Sequence, residues 1–433
     1  SPVVAKKTLS VSAWAHVCLS CKRPFEIESR DARLAPNAVF VVSATEKPFA
    51  VLSEKHSVTC PHCGASEGPV KPRGPEQKKS VEATVLVHPR WLAGEQSRDA
   101  ADGAVLGGGA HDAPEASLRW HALRRHAARL IEVRGTLPET FVCPETGAQV
   151  HTGVGTVPGK SQFACGACGK AQDILEAVAS SGRPPAYAEY AEQIYCPTCD
   201  SHGDPSGGRF FVEPRGGGLS LAIAEWSRRS AEDLAQWFPR QAVPEGLKTS
   251  YQRIPEHGYP WFVDMFNPRQ LLAHSTILKT IECMSGVSNS DKDYLLGAAQ
   301  QYLRYNCVFT IWHLQNNQIS AFLSNNNYTV RHAYVETAIA PPVGDGSWRS
   351  AAKSLVAAAE WRKDPYELVS LSNVRHAGSA ELRSVKSQSQ KVYPADAVLP
   401  ANVTLTNGSS TALPYADSTV DLVITDPPFG NNI

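Results

Sequence analysis

Asp421–Ile433, read as DLVITDPPFGNNI, is the stretch on which the fold is decided. From Val420 to Thr425 the residues are apolar or β-branched apart from one acid, the composition of a strand buried in a parallel sheet. Pro427 and Pro428 cannot continue a hydrogen-bonded ladder, so this strand is expected to break at Asp426. Open α/β sheets bind ligands beyond the carboxyl ends of their strands. An acid, two rigid prolines and the ring of Phe429 are therefore expected at a ligand-facing edge.

With 433 residues the chain has room for two to four domains and for real cores. Its 42 basic and 42 acidic residues balance, so overall charge says nothing about nucleic acid and only local patches can. No apolar run approaches the roughly 20 residues of a membrane span, and no signal peptide opens the sequence. The start lacks an initiator methionine and the sequence stops four residues past Phe429, which suggests an excised fragment.

Eight of the eleven cysteines form four Cys-x-x-Cys pairs. Disulfide frameworks belong to oxidising compartments and small domains; in a cytoplasmic chain, the expectation here, such pairs read as zinc sites. Two closed, structural four-thiolate sites are expected, one from Cys18, Cys21, Cys60 and Cys63, the other from Cys165, Cys168, Cys196 and Cys199. Gly64 and Gly169 follow the second cysteine of a pair, where a glycine lets the backbone turn around a metal. Cys143, in FVCPETG, is read as a spare that could replace a member of the second quartet; Cys283 and Cys307 are read as core.

Composition divides the chain into a first ribbon module (1–100), a linker and basic helix (101–139), a second ribbon module (140–218), a helical region (219–383) and a final segment (384–433). NAVFVVSA and SVEATVLVHP read as strands, ASLRWHALRRHAARLIEV as a helix, and DPSGGRFFVEPRGGG as a loop. Asn267 is a good N-cap and Pro268 suits the first helical position, ahead of Leu271, Leu272, Ser275 and Leu278 at helical spacing. Further helices are expected over DKDYLLGAAQQYLRYNCVFTIWH (291–313) and over WRSAAKSLVAAAEWRKDP, the latter halted by Pro365, and the end of the chain reads as strand, turn, strand. Lys22, Arg23, Lys71, Arg73, Lys78 and Lys79, and the arginines of RWHALRRHAAR, could line a phosphate track or form a solvated surface.

Asp426-Pro427-Pro428-Phe429 resembles the catalytic motif of the S-adenosylmethionine (SAM)-dependent amino-methyltransferases, which modify exocyclic base amines. Such an amine is a poor nucleophile because its lone pair is delocalised into the ring. A carboxylate and a proline-fixed carbonyl accepting its two N–H groups would localise the pair, and an aromatic ring can stack on an extruded base. No proline precedes a cysteine, which excludes the cytosine-C5 enzymes. FNPRQLL (266–272) further resembles a helix start of the zinc-ribbon-containing adenine-specific DNA methyltransferases; there, as here, ribbon knuckles come first, and a Tyr-x-Glu segment (Tyr334-Val335-Glu336) and the Asp-Pro-Pro motif follow. This chain departs from the family in reading Gly430-Asn431-Asn432 after Phe429.

The resemblance implies an α/β fold with a Rossmann-like SAM-dependent methyltransferase core, only partly present, interrupted by two zinc ribbons and helices. It also implies methylation of adenine N6 in duplex DNA, within a restriction-modification or phage-defence system that could include other subunits. The cofactor-binding residues remain unassigned: VLGGGAHD, the one suitable glycine cluster, lacks a preceding strand, and in the family this loop lies upstream of the ribbons. Arg269 and Gln270, in the first turn of their helix, are expected to meet phosphate or to brace the catalytic loop. Two other readings stay open: an RNA guanine-N2 methyltransferase, and a non-catalytic DNA-binding or scaffold subunit of a defence complex.

Overall fold

Strand β1, Val3–Val17, alternates its burial so that Leu9, Val11 and Ala13 face inward while Lys6, Thr8 and Ser10 are exposed, the period-two signature of a sheet covered on one face. The computed structural model describes residues 2–71, 74–93, 114–153, 162–164, 169–179, 187–214, 216, 218–244, 246, 253–321, 333–363, 366–370, 382–386 and 411–423. Strands β2 (Pro24–Glu28), β3 (Val39–Val42), β4 (Phe49–Val51), β5 (Val58–Thr59), β6 (Ser66–Glu67), β7 (Gln77–Val87) and β8 (Leu130–Arg134) follow β1.

Six of them form one curled mixed sheet in the order β3-β8-β7-β1-β2-β4. Its central pairings are antiparallel, and both outer pairings, β3 with β8 and β2 with β4, are parallel. β1 serves two neighbours: Val3 to Ala13 pair with β7, whereas Ala13 to Val17 pair with β2. That change of partner brings the end of β1, and the Cys18 turn after it, to the β2-β4 side of the sheet.

Residues 130–134 correct the expected helix 116–133. The helix covers Pro114–Ala127, and Leu130–Arg134 is instead a strand buried along its whole length between β3 and β7. Ladder partners on both sides outweigh a helical spacing that rested on Leu130. Likewise, Arg209–Val212, in the segment read as a loop, pairs antiparallel with Glu192–Tyr195, burying Phe211 against the main core.

β8 also brings an arginine into the sheet. Arg134 is 1% exposed, donates through two nitrogens to the fully buried carboxylate of Glu28, and lies 3.6 Å over the ring of Phe49. Removing Glu28 would leave Arg134 buried with only a longer contact to Glu46 at 3.3 Å, so much of its charge would be stranded. Glu28→Ala should therefore cost about 3–5 kcal/mol in denaturant unfolding, whereas Glu28→Leu with Arg134→Met should cost far less. Equal losses in the two variants would show that no such charge is stranded.

The helices Gly218–Ala231, Pro268–Cys283, Asn289–Arg304 and Trp348–Lys363 pack in succession, Pro268–Cys283 lying against both its neighbours; the third stops short of the expected 313, because Ile311–His313 instead pairs as a strand with Gln318–Ser320. They are tied to β1, since the Trp312 indole N–H donates to the Val4 carbonyl at 2.8 Å and the Asn317 amide to that of Lys6 at 3.1 Å. Helices with a mixed sheet make the described chain α/β. A doubly wound parallel sheet is not found among the described residues. The part of the expected strand 420–425 that is described is no strand: Val420, Leu422 and Val423 are 47%, 74% and 65% exposed. A buried parallel strand needs ladder partners on each side, and no described strand pairs with these residues.

Candidate metal centre

The first knuckle sits where β1 turns into β2. The Cys18 N–H donates to the Arg23 carbonyl and the Lys22 N–H to the Cys18 carbonyl, each at 3.0 Å. The second joins β5 to β6 by the same turn, Cys60 N–H to Ala65 and Gly64 N–H to Cys60, each at 2.9 Å. The turn needs a left-handed residue after the second cysteine. Gly64 takes it at φ +73° and Lys22 at φ +58°, where an L side chain is disfavoured by roughly 1–2 kcal/mol. A Cβ on Gly64 would meet nothing within 4 Å, so its glycine serves conformation, not space.

These turns aim four sulfurs at one point. Cys18 Sγ lies 3.7 Å from Cys63 Sγ and Cys21 Sγ 3.8 Å from Cys60 Sγ, and all four lie within 4.8 Å of one another. Tetrahedral zinc with bonds of about 2.3 Å would set its sulfurs about 3.8 Å apart, whereas a disulfide needs about 2.05 Å. The cluster could hold a metal ion such as zinc.

Backbone N–H groups support the sulfurs, Cys21 to Cys18 Sγ and His62 to Cys60 Sγ, both at 3.4 Å. Phe25, Ile27, Ala50 and Val58 pack beneath. Glu67 accepts from the Leu19 N–H at 2.8 Å and lies 2.9 Å from His16 Nε2, tying the two knuckles together. Between the sulfurs protons divide unequally. At Cys60 burial favours the thiol, but the N–H groups of His62 and Cys63 and its sulfur neighbours outweigh it and pull the pKa down to about 6. At Cys18 the Cys21 N–H favours the thiolate, but burial and Glu67 prevail and push it up to about 12. A cation would displace the remaining protons.

Cys196 and Cys199 stand at the tip of the hairpin formed by Glu192–Tyr195 and Arg209–Val212, the Cys199 N–H donating to Cys196 Sγ at 3.4 Å. Their expected partners, Cys165 and Cys168, lie outside the described residues. Cys143 opens a third copy of the knuckle turn: its N–H donates to Ala148 and the Gly147 N–H donates back to it, each at 2.8 Å, with Gly147 at φ +66°. Thr146 occupies the second cysteine's place, 3.1 Å from His88 Nε2, and Cys143 itself is fully buried among Val39, Leu86, Ile131 and Val133. The shared Cys-Pro-x-x-Gly of 60–64 and 143–147 was the sequence signal for this turn. Cys307 is core as expected, but Cys283, read as core, is exposed because it closes its helix at the surface.

Asn267 caps its helix as expected, and Gln270 completes a capping box with it, with side chain to backbone bonds of 2.9 and 3.0 Å in the two directions. Gln270 is 1% exposed and also reaches Asn306, so its amide is turned inward and not toward phosphate. Arg269 is held between Glu336 at 2.7 Å and Glu189 at 2.8 Å. Burial works against its charge, but the two carboxylates raise its pKa. Asn267 also donates to Tyr334 Oη at 2.6 Å and to Glu336.

Arg269→Ala would leave Glu189 and Glu336 unpaired. Because the arginine side chain is 37% exposed, water softens the loss to about 1–2 kcal/mol, and Arg269→Lys should recover only part, having one ammonium for two carboxylates. Thermal unfolding of the two variants checks this; an unchanged midpoint for Arg269→Ala would refute it.

Among the other basic residues, Lys79 lies between Glu26 and Glu46 and Lys78 beside Glu76, whereas Lys22, Arg23 and Lys71 are exposed. Arg73 and the motif Asp426, Pro427, Pro428 and Phe429 lie outside the described residues. Among the described residues no helix is long and apolar enough to cross a membrane. Compared with protein-family models, curated proteins and solved structures, the chain matches none.

Proposed function

We propose that this chain is the zinc-ribbon-bearing part of a SAM-dependent DNA methyltransferase acting on the N6 amine of adenine. The observation that carries this reading is a contact between two separate pieces of the resemblance. FNPRQLL and Tyr334-Val335-Glu336, some 67 residues apart, meet through Asn267 to Tyr334 and Arg269 to Glu336. Two motifs linked only by their order in a family are here braced directly against each other.

In this reading the centre of Cys18, Cys21, Cys60 and Cys63 holds a structural zinc, and Cys165, Cys168, Cys196 and Cys199 hold a second. Asp426 accepts one N–H of the target amine, the carbonyl beside Pro427 and Pro428 accepts the other, and Phe429 stacks on the extruded base. SAM would supply the methyl group. The described residues do not fit it, since none forms a glycine-rich loop after a parallel strand, so no role toward the cofactor is given to them. Duplex DNA is the partner, with other subunits of a restriction-modification or defence complex as further candidates and the cytoplasm as the place of action.

The test is transfer of tritium from labelled SAM by the intact protein, with nucleoside analysis of the product. Label in N6-methyladenine of duplex DNA is the expected result. Label in guanine of structured RNA would replace this reading with the RNA one, and DNA binding without any transfer would leave a scaffold subunit.

A further inference from the structure

We propose that the helix Pro114–Ala127 carries a binding site for a phosphate monoester, centred on Arg124. Buried polar groups in folded proteins have partners, and each exception needs a reason. Eight buried side-chain polar atoms lack one among the described residues, and four of these belong to a single helical turn: His121 Nδ1, Arg124 Nε and Nη1, and Arg125 Nε. At spacings of three and four residues the three side chains share one helix face.

Arg124 is 7% exposed, yet no carboxylate meets its guanidinium among the described residues. Its guanidinium carbon lies 4.1 Å from the ring centre of Trp91 and 6.0 Å from that of Trp120. Indole faces favour a cation but leave its in-plane N–H groups unmet. Burial alone acts on its acidity, pulling the pKa down to about 10, whereas Arg129, paired with Glu145 and Glu213, is shifted upward. Glu189, which acts electrostatically on His121, is already paired with Arg269. The turn therefore holds an uncompensated cation.

Arg124 opens onto a groove of about 2120 Å³, lined also by Trp91, Trp120, Tyr190 and Arg269. The unmet donors call for an anion. Arg124, the member of this turn that lines the groove, offers two unmet N–H groups beside a second guanidinium on the same helix face, which suits a group with three acceptor oxygens and a charge near −2, a phosphate monoester better than a carboxylate. With Arg124 so nearly enclosed, a terminal phosphate can reach it but the backbone of a duplex cannot. The monoester could come from a free nucleotide or from the 5′ end of a strand. The proposal does not rest on the methyltransferase reading.

Thermal shift and calorimetric titration of the full chain test it. The probes are inorganic phosphate, a nucleoside 5′-monophosphate against its nucleoside, and one oligonucleotide with a 5′-phosphate or a 5′-hydroxyl, all at matched ionic strength. Phosphate and the monophosphate should raise the melting temperature and the nucleoside should not; a 5′-phosphate preference of about tenfold or more would name the strand end as the source, and its absence the free nucleotide. In Arg124→Met the shift should disappear, while the ligand-free protein melts no lower than wild type because a buried unpaired charge has gone. A structural arginine would instead lower the midpoint. No phosphate shift in the wild type, or a full shift retained in Arg124→Met, would overturn the proposal; the wild-type titration decides it if the variant does not fold.

Discussion

Cys60→Ser, and equally Cys18→Ser, should remove one metal ion per chain and unfold the region joining β2, β5 and β6. The centre has few other supports. β5 and β6 are two residues long, and the apolar cluster beneath the sulfurs is built from Phe25, Ile27, Ala50 and Val58 together with Cys18 and Cys60 themselves. Four-thiolate zinc centres bind with an apparent free energy on the order of 10 kcal/mol, and this is folding free energy when the knuckles cannot hold together alone. The consequence should be local. β1 and β7 pair along ten residues of β1 and have their own core, so hydrogen exchange should rise through Cys18–Glu67 and stay slow in β7 and β8. Chelation of the wild type should reproduce the pattern, and so should acid, because protons compete for the thiolates. Cys143→Ser is the control, since Thr146 stands where its partner would be. Elemental analysis and hydrogen exchange provide the readout. Unchanged metal in Cys60→Ser would defeat the assignment of this centre, and an ion lost in Cys143→Ser would return that residue to the ligand set.

The second large effect belongs to Asp426. If the exocyclic amine is activated by hydrogen bonds to Asp426 and to the carbonyl beside Pro427, then Asp426→Ala removes the charged acceptor and should abolish methyl transfer by the intact protein, a fall of about a thousandfold or more, as for loss of a principal electrostatic contact. Folding, metal content and DNA affinity should be largely retained. Phe429→Ala should weaken capture of the extruded base by roughly 1–3 kcal/mol, and Phe429→Tyr or Phe429→Trp should keep much of the activity because a stacking face remains. Label transfer to duplex DNA, followed by nucleoside analysis, separates the cases. Wild-type turnover in Asp426→Ala would end the catalytic assignment, and label in cytosine or guanine would end the choice of adenine.

Short-range geometry was legible in the sequence. The knuckles at Cys18 and Cys60, the cap at Asn267 with Pro268 behind it, and strand β3 all stand where the residues implied, while β7 begins at Gln77, three residues ahead of the stretch read as a strand. Less legible was anything that depended on which distant segment came to lie alongside. Leu130–Arg134 has apolar spacing that fits either a helix or a buried strand, and only the presence of β3 and β7 on its two sides chose the strand. The knuckle at Cys143 keeps the Cys-Pro-x-x-Gly pattern, but Thr146 in the second position removes the cysteine pair that marks the others.

From its sequence alone this protein's local turns were determined, because a Cys-x-x-Cys-Gly turn or an Asn-Pro cap closes within a few residues and its geometry is set by covalent reach and backbone preference. Tertiary structure decided which of two distant cysteine pairs converge, that Gln270 turns inward while Arg269 is clamped by Glu189 and Glu336, and that Arg124 is enclosed by Trp91 without a carboxylate. Those outcomes turn on burial and on partners far away in the chain. The energy of a charge or a thiol depends on its surroundings more than on its sequence neighbours.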